Sequence, residues 1–221
     1  MFTRRHLIAS TAAAIAAPAV LRAQSATLPA MTDFAGAPAP APQRQAAAAQ
    51  PEPVIDLPPT VQDGYQIPPQ YQAVVVPTRG LAANQIHIVP QEYHLYFTLP
   101  GNRAIRYGVA VGQEGLGWSG SATIKRKVEW PSWTPTPDMI ERDPEHYEQY
   151  ADGMPGGPEN PLGARALYFY QGDRDTAIRV HGTTSPASIG KSASNGCFRM
   201  YNSHVIDLYN RVPIGARAFA Y

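Results

Sequence analysis

From Tyr71 to the C-terminus, apolar residues come in runs of four to nine, each bounded by Pro, Gly or Asn: YQAVVV, QIHIV, YHLYFT, AIRYGVAVG, RALYFY, AIRVH, CFRMY and ARAFAY. Runs this short cannot bury a helical face, and their β-branched and aromatic residues suit a pleated, half-buried surface. The pattern restricts the region to a mainly β domain of roughly 150 residues, enough for one core. Pro100, Gly101 and Asn102 read as a hairpin turn. One segment has another period. In NSHVIDLYNRVP, Val205, Ile206, Leu208, Tyr209 and Val212 recur at helical spacing, Asn202 or Ser203 can cap the start, and Pro213 stops it. The expected fold is mainly β, sandwich- or barrel-like with mixed sheets, and carries one helix near the C-terminus.

Two stretches depart from this texture. Residues 113–163, rich in Pro, Gly and Trp, read as a long irregular insertion of the kind that serves as a lid or binding loop. Residues 35–53, AGAPAPAPQRQAAAAQPEP, have no apolar face to bury and read as a disordered tether, with proline frequent to Pro69. The expected layout is a signal over 1–25, a tether over 26–70 and a catalytic domain over 71–221.

The signal rests on Arg4 and Arg5, followed by an Ala-rich apolar run from Leu7 to Leu21 and small residues at Ala23 and Ser25. That run falls short of the roughly 20 residues needed to span a bilayer, so a cleaved export signal is expected, with no membrane span after its removal. TRRHLI resembles a twin-arginine signal, with ordinary Sec export as the alternative, and either route implies export to the periplasm.

With 18 basic and 17 acidic residues the net charge is +1, so no nucleic-acid partner is implied. HExxH, CxxC and GxxxxGK[ST] are absent, and neither a metal nor an organic cofactor is expected.

Cys197 is the single cysteine. In an exported protein cysteines usually pair, so a lone one is a free reactive thiol, half of an intermolecular bridge or a small buried residue. Thiolate chemistry needs a nearby base and donors for an oxyanion. His181 ends one expected strand, and Cys197 opens the next after a loop of fifteen residues. The Gly196 and Cys197 amides are candidate oxyanion donors. Arg199 alternates onto the face of Cys197, where it could hold a substrate carboxylate or form a structural ion pair. Ser188 and Lys191 fit a serine-nucleophile S-x-x-K pattern, but K-T-G and the helices of that fold are missing.

IRVHGTTSPASIGKSASNGCFRMYNSHVIDLY resembles the catalytic signature of the L,D-transpeptidases, the YkuD-type cell-wall enzymes: a strand ending in HG, fourteen to seventeen residues, then S-x-G-C, an apolar residue and Arg. The resemblance extends back through NPLGARALYFY, WPSWTPTPDMI and VAVGQEGLGWSGSATI, covering residues 71–221. It implies that Cys197 is the nucleophile, His181 its general base, the Gly182 carbonyl the group that orients the base, and the Gly196 and Cys197 amides the oxyanion hole. Many members have histidine two residues before the cysteine, where this chain has Asn195. Arg199, Asn195, Ser194, Tyr168 and Trp133 are the substrate-binding candidates. The implied substrate is the peptidoglycan stem peptide: the thiolate attacks the carbonyl of the third residue, a diamino acid, and D-alanine leaves. The acceptor amine is another stem, a free D-amino acid or an outer-membrane protein. Water as acceptor would make an L,D-carboxypeptidase, and a non-catalytic peptidoglycan-binding tether is the reading from another class. A cysteine–histidine pair is expected to hold the thiol well below about 8.5, and a carbapenem is expected to acylate it.

Overall fold

The computed structural model describes residues 54–113 and 116–221, so the signal and the Ala/Pro stretch through residue 53 lie outside the described residues. The strands are β1 (Val61–Gln62), β2 (Tyr65–Gln66), β3 (Val74–Pro77), β4 (Ile86–Val89), β5 (His94–Leu99), β6 (Arg103–Gly108), β7 (Val111–Gly112), β8 (Gly120–Glu129), β9 (Arg165–Gln171), β10 (Arg174–His181), β11 (Ser192–Ser194), β12 (Phe198–Arg199) and β13 (Arg217–Ala220). The α-helices are α1 (Pro137–Arg142), α2 (Pro144–Tyr147) and α3 (Asn202–Arg211). β1 pairs with β2 and β7 with β11. The other nine strands form one mixed sheet in the order β12-β10-β9-β8-β13-β4-β5-β6-β3. Ala110, just beyond β6, bridges to Arg199 in β12 through N–H···O bonds of 2.9 and 3.0 Å. The far side of the sheet thus reaches round to its opposite edge and covers it, a barrel-like closure that hides the unpaired backbone of β12.

Alternation along the strands builds the core. Ile86, Ile88, Leu95, Phe97, Leu167 and Phe169 point inward and pack with Val205 and Leu208 of α3. Truncating Phe169 to alanine there costs about 3–5 kcal/mol. The β5–β6 hairpin turns through Pro100–Asn102 as expected, with Gly101 and Asn102 at φ 79° and 54°.

The sequence reading is corrected in three places. The folded unit begins well before Tyr71: Ile55 and Leu57 pack on the main core, and fully buried Ile67 joins Ala110, Ile189 and Tyr201 in a second cluster. The helix is not capped by Asn202 or Ser203. Gln62 Oε1 accepts the Ser203 N–H at 3.2 Å, and the Asn202 side chain turns to neighbouring loops. Lys127 Nζ closes the other end by donating to the carbonyls of Tyr209 and Val212. Finally, the stretch 113–163 is not wholly irregular. It contains β8, a central strand paired with both β9 and β13, as well as α1 and α2. Thr136 and Asp143 cap those two helices, each followed by proline at the first helical position.

Candidate active site

β10 and β12 run parallel, with Val180 opposite Phe198 and His181 opposite Arg199. One step back along that register brings Cys197 beside Arg179. Side chains alternate along each strand, so Arg179 and His181 share one sheet face with Cys197 and Arg199, and Tyr168 joins them from β9 opposite Arg179. All five line a cavity of about 650 Å³, roofed by residues from the 130–163 segment.

The turn ahead of Cys197 is fixed by its own polar groups. Ser194, only 2% exposed, donates its hydroxyl to the Cys197 carbonyl and accepts the Gly196 N–H at 3.2 Å. Gly196 lies at φ +114°, and a Cβ there would meet the Leu116 carbonyl at 2.9 Å, so only glycine fits. Two expectations change here. The Gly196 amide is engaged within the turn rather than directed at an oxyanion, and Ser194 shapes the turn instead of presenting its hydroxyl to substrate.

β10 carries a bulge between Asp175 and Arg179, where Ala177 takes φ +61°. Asp175 Oδ1 holds this kink by accepting from the Ala177 N–H at 2.9 Å and from Arg179 Nη1 at 2.7 Å. The kink directs the Ala177 carbonyl at the thiol, 3.7 Å from Cys197 Sγ. His181 is 5% exposed, and its Nδ1 lies 2.7 Å from the Gly182 carbonyl. A carbonyl only accepts, so Nδ1 carries the proton and Nε2 is left as the basic nitrogen.

The electrostatics correct the expected low thiol pKa. Burial lowers the His181 imidazole to about 4; the Gly182 and Leu162 carbonyls oppose this, and Arg199 and Arg179 reinforce it. Burial pushes the Cys197 thiol up, while the Arg179 amide and guanidinium and the Arg199 guanidinium pull it down. Both shifts favour the uncharged forms, a thiol and a neutral imidazole on one face of the sheet. Desolvation of both partners outweighs the pairing that would separate charge.

Arg199 extends into the cavity with its own pKa lowered by burial, and Tyr147 and Cys197 act in the opposite direction. Tyr168 lies between two guanidiniums, Arg179 at 4.1 Å and Arg126 at 4.6 Å from its ring centre, so its ring buttresses Arg179. Trp133 lines the roof, pinned by a backbone pairing with Met154 and by ring contacts with Tyr147 and Tyr150. Asn195 also lines the cavity, and its Oδ1 accepts from Arg142 Nη2 of α1 at 2.9 Å, tying the roof to the nucleophile turn. Ser188 is outside the cavity lining and donates to the Ser185 carbonyl at 2.7 Å. Among the described residues no group of three or more His, Cys, Asp or Glu could hold a metal, and no helix is long and apolar enough to cross a membrane.

Sequence reasoning missed Arg179, Arg142 and Asn202. Arg179 was within reach, since it stands two residues before His181 on an expected strand and therefore on the same face. Arg142 and Asn202 act across loops whose packing has no local signature.

Comparisons with known proteins identify the family. The family model of the YkuD L,D-transpeptidase catalytic domain matches residues 83–219. The "Probable L,D-transpeptidase ErfK/SrfK" of Escherichia coli K12 is 32% identical over 131 residues, covering 57% of this chain and 40% of that protein. The "Probable L,D-transpeptidase YbiS" of the same organism is 31% identical over 157 residues, covering 64% of this chain and 47% of that protein. The chain thus spans less than half the length of these curated relatives. A solved Brucella melitensis chain, described as a probable carnitine operon oxidoreductase, is 51% identical, covers 70% of this chain and 96% of its own length, and superposes with a TM-score of 0.49. The match over 83–219 spans more than half of the chain and includes both His181 and Cys197. The chain belongs to the L,D-transpeptidase family through its YkuD-type catalytic domain.

Proposed function

We propose that this protein is a periplasmic peptidoglycan L,D-transpeptidase, exported by a twin-arginine signal, with Cys197 as nucleophile and His181 as base. The observation that carries the reading is the shared face of Cys197, His181 and Arg199 on two parallel strands, with the imidazole fixed so that Nε2 is free to accept a proton. A stem peptide enters the cavity, and its carboxylate is recognised by Arg199, a half-buried cation on the face of the nucleophile. Bound substrate excludes the remaining water, and Sγ swings from the Ala177 carbonyl toward the imidazole. Nε2 takes the thiol proton as Sγ attacks the carbonyl carbon of the third stem residue. The Cys197 amide stabilises the oxyanion. The tetrahedral species collapses with cleavage of the C–N bond, His181 returns its proton to the leaving D-alanine nitrogen, and a thioester remains on Cys197. An acceptor amine then loses a proton to His181 and attacks the thioester; the C–S bond breaks and the thiol is restored.

Incubation of the purified protein with defined tetrapeptide muropeptides, followed by mass spectrometry of the products, tests this. The expected result is loss of D-alanine with a new amide to the acceptor. Release of tripeptide alone would move the assignment to L,D-carboxypeptidase, and unchanged muropeptides with a well-folded protein would make the domain a non-catalytic binder.

A further inference from the structure

Asn202 opens α3, yet its side chain does none of the helix's capping. Its Oδ1 accepts the Ala164 N–H at 3.0 Å and the Thr183 N–H at 3.2 Å, and its Nδ2 donates to the Thr183 carbonyl at 3.2 Å. Space has been cleared for it. A Cβ on Gly182 would approach Asn202 Oδ1 to 2.1 Å, and one on Gly163, at φ +64°, to 2.2 Å. The Thr183 N–H belongs to the same peptide group as the Gly182 carbonyl, which is the acceptor that holds His181 Nδ1 at 2.7 Å. One planar amide is therefore bonded at both ends, to Asn202 through its N–H and to the imidazole through its C=O. A hydrogen bond at the N–H polarises the amide and strengthens the carbonyl as an acceptor, and the plane cannot rotate without breaking both contacts.

We propose that Asn202 is a positioning residue for His181, acting through the Gly182–Thr183 peptide to fix the imidazole as the Nδ1–H tautomer with Nε2 as the basic nitrogen. The proposal rests on the reading of His181 as the base. Asn202 is not itself among the residues lining the cavity; it meets that lining through the backbone of Thr183, and its route to His181 is the Gly182–Thr183 amide.

The test reads the imidazole itself. Long-range proton–nitrogen spectra of the ¹⁵N-labelled full chain, with the His181 signals assigned from His181→Gln, report the tautomer and the exposure of the Nδ1 proton. Wild type is expected to give one Nδ1–H tautomer with a slowly exchanging, downfield proton. Asn202→Ala should move that proton upfield, quicken its exchange and lower kcat by about tenfold at unchanged KM, the size of one lost hydrogen bond. Asn202→Asp keeps the Oδ1 acceptor and should retain the tautomer. A folded Asn202→Ala protein that melts lower while its His181 signals stay in place would overturn the proposal, because Asn202 would then be a brace and nothing more. Should the alanine variant not fold, Asn202→Asp decides, since a carboxylate accepts the same N–H more strongly and should drive the Nδ1 proton further downfield; an unmoved signal rejects the coupling. The tautomer, chemical-shift and exchange readings need no turnover, so they fail independently of the transpeptidase assignment, which the muropeptide products of the wild-type protein judge.

Discussion

His181 and His204 are both buried, and burial lowers both imidazoles to about 4. Only one has the surroundings of a base. His181 ends β10, bonds the Gly182 carbonyl through Nδ1 and lines the cavity with Cys197. His204 is wholly buried on α3 between the rings of Tyr107 and Tyr201, and neither of its ring nitrogens has a hydrogen-bond partner. Asp207, which acts to raise it, is occupied by Tyr107 and Arg211. A depressed histidine pKa therefore records burial and does not by itself mark a catalytic group. What separates the two residues is a partner that fixes the tautomer and a nucleophile within the same pocket.

The largest effect expected is at Cys197, the proposed nucleophile. Cys197→Ala should lower muropeptide turnover by on the order of 10³-fold or more. Its melting temperature should stay near wild type, because Cys197 is partly exposed and staples nothing. A large loss of stability at that position would return Cys197 to a packing role. His181→Gln should cost about 10²–10⁴-fold in turnover, whereas His204→Phe, followed in the same assay, should stay within a few-fold of wild type. If His204→Phe were as inactive as His181→Gln, the distinction between the two sites would fail.

Acid sharpens the comparison further. Each imidazole is near 6.5 when unfolded and about 4 when folded, so the unfolded chain binds the extra protons between those values. Their contribution is fully present above about 6.5 and is lost as pH falls toward 4, by on the order of 3 kcal/mol for each histidine. Denaturant titrations from pH 7 to 4 should show that loss in wild type and a distinctly shallower one in His204→Phe. Parallel curves would mean that His204 does not titrate with unfolding.

A smaller expected effect lies at the roof. Arg142→Ala removes an exposed contact to Asn195 and should cost under about 1 kcal/mol of stability, visible chiefly as a raised KM. An unchanged KM would separate the α1 contact from substrate handling.

The comparison of the two histidines also bears on what the chain reveals before folding. His181 was legible because it ends a β-patterned run in HG at a fixed distance from S-x-G-C, and strand alternation then aligned Arg199 with Cys197. His204 was legible only as a position within the periodic helix, which is where the structure has it. β8 escaped because its charged Lys125, Arg126 and Lys127 sit among Pro, Gly and Trp, and a bulge between Ile124 and Arg126 breaks the alternation that marks a strand. Residues 54–70 looked like tether because proline stays frequent in them, yet Ile55, Leu57 and Ile67 are enough to anchor them to the cores. Asn202 read as a helix cap by its local pattern, since nothing near it in sequence announces that Gly163 and Gly182 will pack against its side chain. The engagement of the Gly196 amide by Ser194 is equally invisible, because it depends on the turn's dihedral angles and not on residue type.

The central claim is that Cys197 is a nucleophile activated by His181 once a substrate enters. Intact-protein mass spectrometry of a carbapenem reaction, run in parallel on wild type, His181→Gln and His204→Phe, addresses it most directly, because ring opening leaves a covalent thioester. Wild type and His204→Phe should each gain one drug mass at similar rates, peptide mapping should locate it on SNGCFR, and His181→Gln should react at least about 10²-fold more slowly. Equal acylation of all three proteins, or an adduct on Ser188 instead of Cys197, would contradict the account.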